Sequence, residues 1–582
     1  MKVGYLAQRN QLMVHVSFSH PMMTVEVSDE RYEEIKHWLR SWWGGELPGE
    51  SVATKHRAIA LVGVLHNLIC QDARLPFFDL PFIDPDTEKS SFWIPTLLGL
   101  DKKVHSLALK FALAAISSNS ESACHEVLGR AVSAVNRSAG DKVLGLSDGS
   151  IPILSEAHNM GLYFYHAVDD IVQVGQGSHS RLIHVSASDA DSAAGMLISE
   201  NKAMMAALFD RAGIPTPVTI ATQSADIAPV ILKTLSTPLI VKPERGARGQ
   251  GVLTDITSEP LLRRAISLAI ESSPAKVALV QPQMKGHCHR VQVLNGKVMW
   301  ATTRYPKSIV GDGSSTIAQL IHSANEALKE MPARQRLRPF PTDDLAVLTL
   351  KKQGFTMDSV PTKGMRINLR PVTSVADGGD TQAITETLHP ANAALCVEAT
   401  KVCRLNTAGV DFFSEDPTVP WYENGGAILE VNYKPQIFNR LSDRIAKEPH
   451  KRFVSELTKG AGKLPMYAFV GEVAAKEKAI QHHAELVGNG VSAWLCTDEG
   501  IAGPERMLRP RKAQNLLRDF SSLMQNPRVE ALCLQVGLWG ESMALPVTHL
   551  THIDECYPEC DASALDAWTR VSDRLRASLS PA

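Results

Sequence analysis

Two short apolar runs, Gly409-Val410-Asp411-Phe412 and Gly425-Gly426-Ala427-Ile428-Leu429-Glu430-Val431-Asn432, constrain this chain more than anything else in it. Each reads as a strand, and the two lie close enough in sequence to pair in one sheet. Glu430 and Asn432 are two residues apart and therefore share a strand face, with Asp411 on the preceding strand. Carboxylate and amide oxygens brought together in this way suit Mg²⁺ bridging the phosphates of a nucleotide. One such strand alone is commonly just core with a solvated acidic end. Here, however, upstream segments supply the other features of a nucleotide site in the order such a site needs.

A chain of 582 residues, 44% apolar, is long enough for several domains with cores of their own. Its net charge of -2 argues against nucleic acid or a membrane surface as partner. The nine cysteines are odd in number and dispersed, as expected of reduced thiols in a cytoplasmic protein. The N-terminus opens into mixed sequence without the apolar core of a signal peptide, and no apolar run reaches the roughly 20 residues a membrane helix requires.

The fold class reads as mixed α/β (α+β) in three regions. Residues 1–160 form an N-terminal α/β domain. There Met13 to Phe18 alternates like a strand, and Glu30 to Trp43 and Lys55 to Leu68 carry helical periodicity. Two further helices flank Ser117-Ser118-Asn119-Ser120. Residues 161–464 are the middle region, with a helix beginning near Ser199, a break at Gly213-Ile214-Pro215-Thr216-Pro217, and a strand from Pro238 to Pro243. Residues 465–582 open with a strand from Met466 to Val470. Shorter strands near Ala493-Trp494-Leu495 and from Ala531 to Val536 follow, which predicts a small open sheet.

The chemistry concentrates in the middle region. Lys242 ends an apolar strand and Pro243 turns the chain, so the ammonium can meet phosphate oxygens as a compact charge. The following loop carries Gly246, Arg248, Gly249 and Gly251, a positive flap whose backbone amides can approach phosphates closely. Gln281, near the end of the strand Ala278-Leu279-Val280-Gln281, stands where an adenine-facing hinge would be. A hairpin with an Asn295-Gly296 turn follows. Arg290 and Arg304, placed where strands meet loops, can hold phosphate or a carboxylate in bidentate fashion. His287, Cys288 and His289 alternate between opposite strand faces, which argues against a metal site there.

Taken together, these features resemble the ATP-grasp superfamily, and more closely the ATP-grasp module of cyanophycin synthetases. The resemblance covers roughly Val172 to Leu441. It rests on Ile240-Val241-Lys242-Pro243, the glycine flap, Gly286-His287 with His289-Arg290, and Gly311-Asp312-Gly313-Ser314-Ser315-Thr316-Ile317. It continues through Gln353 to Pro361, Gly378-Gly379, His389-Pro390, Ala408 to Asp411 and Glu430-Val431-Asn432. It implies a central ATP-grasp fold, with Lys202 and Lys242 on the ATP phosphates and Asp411, Glu430 and Asn432 on Mg²⁺, two ions in all. It further implies ATP-dependent ligation of a small-molecule carboxylate and an amine, an amino acid or peptide, through an acylphosphate. Arg290 would steady the oxyanion of the second step, and association into a homo-oligomer is expected. Cys288 stands where the family has an acidic residue, and Tyr433-Lys434 where it has two small ones.

In cyanophycin synthetases a Mur-ligase-like ATPase follows. The matching strand here, Tyr467 to Val470, runs into Gly471-Glu472-Val473-Ala474-Ala475-Lys476, which lacks the second glycine and the Lys-Ser/Thr ending of a phosphate loop. Residues 465–582 are therefore expected to be a truncated Rossmann-like remnant without nucleotide chemistry, used for packing or assembly. The set His549, His552, Cys556 and Cys560 has residue types that suit zinc, though the spacing matches no known pattern. The rival readings are a non-catalytic scaffold built on degenerate ligase modules, a phosphotransferase sharing the nucleotide site, and a full polymer synthetase.

Overall fold

The computed structural model of the protein describes residues 2–5, 12–17, 28–43, 57–73, 75–77, 82–83, 91–95, 102–139, 146–147, 149–245, 251–330, 339–370, 379–437, 448–460, 462–505, 507–510, 516–537, 550–557 and 562–576. They divide into two compact units, residues 1–185 with 454–582, and residues 186–453. The architecture is mixed α/β, as expected.

In the first unit the N-terminal segment pairs strands Lys2–Tyr5, Leu12–Ser17, Ser91–Pro95 and Phe82–Ile83 in one antiparallel sheet. Helices Asp29–Trp43, Arg57–Asp72, Lys102–Ile116 and Glu121–Ala139 accompany it. Ile35, Leu39, Leu65, Phe77, Ala108 and Leu128 belong to one buried cluster. Within that apolar core lies a polar pair: His66 Nε2 is 3.1 Å from His105 Nδ1, and His66 Nδ1 is 3.1 Å from Asn67 Oδ1. With Asn67 Oδ1 accepting, His66 carries its proton on Nδ1 and accepts from His105 at Nε2. Burial holds both rings neutral, lowering His66 to about 4 and His105 to about 3.

The C-terminal segment of the same unit forms a six-stranded sheet. Its strands Met466–Gly471, Ala493–Thr497, Ala531–Val536 and His552–Cys556 are parallel, and Gly500–Ala502 and Met507–Pro510 extend it antiparallel. Ala475 and Ala479 of helix Val473–Gly488 are buried with Phe469, Leu495 and Cys533 of this sheet. Strands Phe164–Val168, Ile171–Val174 and Arg181–His184 belong to the same unit. Gln173 Nε2 donates to Met524 O at 2.8 Å, Leu464 N to Gln176 Oε1 at 2.9 Å, and Ser178 N to Val529 O at 2.8 Å. These bonds tie residues 161–185 to the C-terminal segment, although the sequence division places them at the head of the middle region.

The second unit is built on two antiparallel sheets. The smaller orders Leu253–Ile256, Leu239–Pro243, Ala278–Pro282 and Ile220–Thr222. Its strand residues pack with Leu262, Ile266 and Ala269 from one face of helix Glu259–Ser272, which repeat at helical spacing. The larger orders Asp380–Ala383, Lys297–Tyr305, His287–Leu294, Thr407–Ser414 and Ala427–Asn432. Asn295 and Gly296 join two of its strands with φ of 51° and 72°, the left-handed pair that a two-residue hairpin demands. Val291, Val293, Ala408, Val410, Ile428 and Val431 belong to the core under this sheet. Among the described residues, no helix is long and apolar enough to cross a membrane.

Candidate active site

Strand register assembles the site. In the five-stranded sheet Arg290 lies opposite Asp411, and Asp411 lies opposite Glu430, so one charged row crosses three strands. Arg304 lies two residues beyond Thr302, the partner of Arg290, and joins the same face. Asn432, paired with Gly409, extends the row by one step. Arg290 thus sits inside strand His287–Leu294 rather than where strand meets loop, while Arg304 is the last residue but one of strand Lys297–Tyr305. The strand pattern that builds the apolar core beneath places alternate polar residues above it.

The charges are closely matched. Arg290 Nε is 2.8 Å from Asp411 Oδ1, with Arg304 Nη1 3.8 Å from the same oxygen. That oxygen is buried and accepts no well-formed hydrogen bond, so the close approach is an ion pair lacking hydrogen-bond directionality. Lys202 Nζ is 3.2 Å from Glu430 Oε2. Asn432 Nδ2 donates to Gly409 O at 3.1 Å and to Asp411 Oδ2 and Glu430 Oε1 at 3.4 Å each, bridging the two carboxylates. Burial pushes Lys242 down, opposed by the attraction of Glu430 and Asp411, which places its ammonium in the same cluster. Burial acts to raise Glu430, but Lys202, Asp411 and Lys242 outweigh it and hold this carboxyl at about 2. Asp411 moves the other way: burial raises it against the pull of Arg290 and Arg304.

Lys202, Lys242, Arg290 and Arg304 thus gather around two carboxylates, Asp411 and Glu430. An excess of buried cations attracts a polyanion, and the two carboxylates with one amide are the oxygen donors from which Mg²⁺ takes part of its shell, phosphates and water completing it. The residues fit a nucleotide held with Mg²⁺. Lys202 reaches its place because Asn201 caps helix Lys202–Ala212, its side chain accepting from Met204 N at 2.8 Å. The helix expected to begin near Ser199 is in fact two: Ala193–Ser199 ends there and the second starts at Lys202.

The remaining expectations divide. Gln281 is buried in the interior of strand Ala278–Pro282, and its Nε2 donates to Thr219 Oγ1 at 2.6 Å. Among the described residues no hydrogen bond joins it to the charged cluster. Gly251 has φ of 70°, and a Cβ there would approach Ser272 Oγ to 2.6 Å. Gly246, Arg248 and Gly249 lie outside the described residues. His289 is buried on the opposite face between Thr303 Oγ1 at 2.9 Å and Ser414 Oγ at 3.1 Å, and burial lowers it to about 4. Sequence reasoning overlooked Gly409, where a Cβ would lie 2.2 Å from Arg290 Nη1. It treated Cys288 only as a departure; burial and then Asp411 push this thiol up, which puts it beside the carboxylates.

The turn after Met466–Gly471 has a different character. Gln535 Nε2 donates to Gly471 O at 2.9 Å, and its Oε1 accepts from Asp498 N at 3.0 Å. A Cβ at Gly471 would lie 2.2 Å from Cys556 O, and Lys476 is paired with Asp498 and Glu499 at 2.9 and 3.1 Å. Gln535 thus ties the carbonyl of this turn to strand Ala531–Val536, and Lys476 is engaged by two carboxylates. His549 and Cys560 lie outside the described residues, and among the described residues no group of three or more His, Cys, Asp or Glu could hold a metal.

Comparison with known proteins finds sequence similarity to ligases. Over 267 residues, 46% of its length, the chain is 32% identical to the cyanophycin synthetase of Geminocystis herdmanii, covering 30% of that protein. Over 260 residues, 42% of the chain, it is 28% identical to the glutathione biosynthesis bifunctional protein of Mannheimia succiniciproducens, covering 33% of it. The resemblance to cyanophycin synthetases drawn from the motifs is therefore found along nearly half of the chain. Among solved structures, a bifunctional glutathione synthetase from Pasteurella multocida aligns over 74% of this chain and 76% of its own, with a TM-score of 0.43 and 16% identity. No family model matches. The chain spans about a third of the length of the curated relatives it matches.

Proposed function

We propose that the protein is an ATP-dependent carboxylate–amine ligase with an ATP-grasp module centred on residues 186–453. The observation that carries this reading is the charged row itself: Lys202, Lys242, Arg290 and Arg304 gathered around Asp411, Glu430 and Asn432 on adjacent strands. The similarity to cyanophycin synthetases and glutathione-forming proteins supports it.

In the proposed reaction a substrate carboxylate attacks the γ-phosphorus of ATP, giving an acylphosphate and ADP. An amine then attacks the acyl carbon, phosphate leaves and an amide forms. Asp411, Glu430 and Asn432 would hold Mg²⁺, which supplies charge neutralisation on the phosphates. Lys202 and Lys242 would hold the phosphates, with little reorganisation because Glu430 already fixes Lys202. Arg290 and Arg304 would face the developing charge at the acyl centre. Phosphoryl transfer of this kind is mostly positioning and electrostatics, which a rigid sheet face provides. The substrates are proposed to be small molecules, an amino acid or short peptide among them. Residues 465–582 are proposed to be a degenerate Mur-ligase-like module, giving the three-part ancestry 1–160, 161–464 and 465–582, and the tied turn at Gly471 favours a packing role for it. A cytoplasmic homo-oligomer is proposed as its working form.

The test is a phosphate-release screen of the full chain across pairs of amino acids, with mass analysis of products. A new amide whose formation requires both ATP and Mg²⁺ is the expected outcome. ADP formed together with a phosphorylated acceptor, and without release of phosphate, would instead favour a phosphotransferase.

A further inference from the structure

Beside the charged row lies a cleft of about 340 Å³, at the small end of ligand pockets, whose wall includes Glu200, Lys202, Arg245, Asn432, Tyr433 and Lys434. Lys202 and Asn432 belong to the row already described. The other charged groups, Glu200, Arg245 and Lys434, serve no part of it, and among the described residues they enter no ion pair. Two cations and one carboxylate are thus available on the wall of a small cleft that opens next to the proposed metal ligands.

Their backbone is held in place. Glu200 caps helix Ala193–Ser199, its N–H bonding to Met196 O, and Asn201 immediately starts the next helix. Lys434 has φ of 49°, a left-handed conformation that costs a non-glycine residue on the order of 1 kcal/mol. The segment after it is pinned: Ser186 Oγ donates to Pro435 O at 2.7 Å, and Gln292 Nε2 to Gln436 O at 3.4 Å. Lys434 Nζ lies 5.6 Å from the centre of the Tyr433 ring, whose body packs against the core of the larger sheet. The left-handed backbone sets the direction in which the Lys434 side chain leaves the turn.

We propose that this cleft recognises an amino-acid substrate as its zwitterion, with Lys434 and Arg245 taking the carboxylate and Glu200 the ammonium. The assignment rests on the ligase reading above and narrows it: the substrate bound here carries a carboxylate that is recognised rather than phosphorylated. Lys202, Arg245 and Lys434 give this wall three cations, and Glu200 is the group that favours a ligand carrying an ammonium as well as a carboxylate. A charge-assisted bond of this type contributes enough that its loss is read as about a tenfold or larger change in affinity.

The experiment titrates L-amino acids, their carboxamides and their N-acetyl derivatives into the full chain, with and without ADP and Mg²⁺. At least one amino acid is expected to bind, at least about tenfold more tightly than its carboxamide or N-acetyl form. In Lys434→Ala the preference over the carboxamide should collapse, in Glu200→Gln the preference over the N-acetyl form, while ADP affinity changes less than about threefold in each. Lys434→Gly, which tolerates the positive φ, is the companion in case alanine distorts the turn. The proposal is overturned if no amino acid binds, if the preferences survive the substitutions, or if Lys434→Ala weakens ADP as much as the amino acid, which would make Lys434 a phosphate ligand. Failure of ADP to bind the wild-type chain with Mg²⁺ would count against the ligase reading, and the nucleotide-free titrations would still decide the cleft.

Discussion

Gly409 leaves room for the guanidinium of Arg290: a Cβ there would stand 2.2 Å from Arg290 Nη1 and 2.7 Å from Pro435 Cβ. Arg290 cannot simply swing aside, because its Nε is held 2.8 Å from Asp411. Gly409→Ala is therefore expected to displace the arginine from the carboxylate and to lower turnover by roughly tenfold to a hundredfold, since misplacement of about 1 Å can cost that much. Circular dichroism should remain native, and a variant with full activity would show that Arg290 is not held by this contact. Glu430 and Asn432 were legible in the sequence because strand periodicity puts them on one face, and the cross-strand register adds Asp411 beside them. Gly409 was not, since its reason is a neighbour 119 residues away across the sheet. Arg290 was found by type but placed at a strand end, because the extent of a strand is set by its partners across the sheet.

Helices Arg57–Asp72 and Lys102–Ile116 meet through His66 and His105, two imidazoles bonded in an otherwise apolar core. Their values lie at about 4 and about 3, below the ordinary 6.5, so the folded chain binds fewer protons than the unfolded one as pH falls beneath 6.5. Their neutral burial costs nothing above that pH, and stability declines below it. Between pH 7 and 5 each histidine should remove about 2 kcal/mol. Melting curves of the full chain are expected to drop over that interval, and to drop less in a His66→Leu, His105→Leu double variant. Identical pH profiles would contradict the buried neutral pair. Element identity was well signalled here: the helices on either side of Ser117 to Ser120 and the Asn295-Gly296 hairpin appear where periodicity and turn chemistry put them. The helix expected near Ser199 was misjudged because a seven-residue helix runs straight into the Asn201 cap, and the two periodicities merge in the sequence.

On the scale of the whole molecule, distant segments share one core: Tyr163 is buried in the cluster with Leu464, Met524 and Trp568. Contacts of this kind between residues hundreds of positions apart leave no local pattern, and the sequence division at 160 and 464 could not anticipate them. Deleting Pro465 to Ala582 would uncover Tyr163 and leave the Gln173 and Ser178 bonds without partners. The truncated chain is expected to lose solubility and to melt lower; an equally stable, soluble and active product would show that the C-terminal segment is a passive appendage. That Gly471 to Lys476 lacks the second glycine and the Lys-Ser/Thr ending of a phosphate loop is, by contrast, a matter of residue types alone. The central claim, that the charged row on the larger sheet is where nucleotide and Mg²⁺ bind, is tested most directly by calorimetric titration of ATP into the full chain, with and without Mg²⁺. The account predicts one site per chain, tighter with Mg²⁺, and loss of that Mg²⁺ enhancement in a normally folded Glu430→Gln variant. Two sites per chain, no binding, or an unaltered Mg²⁺ enhancement in Glu430→Gln would contradict it.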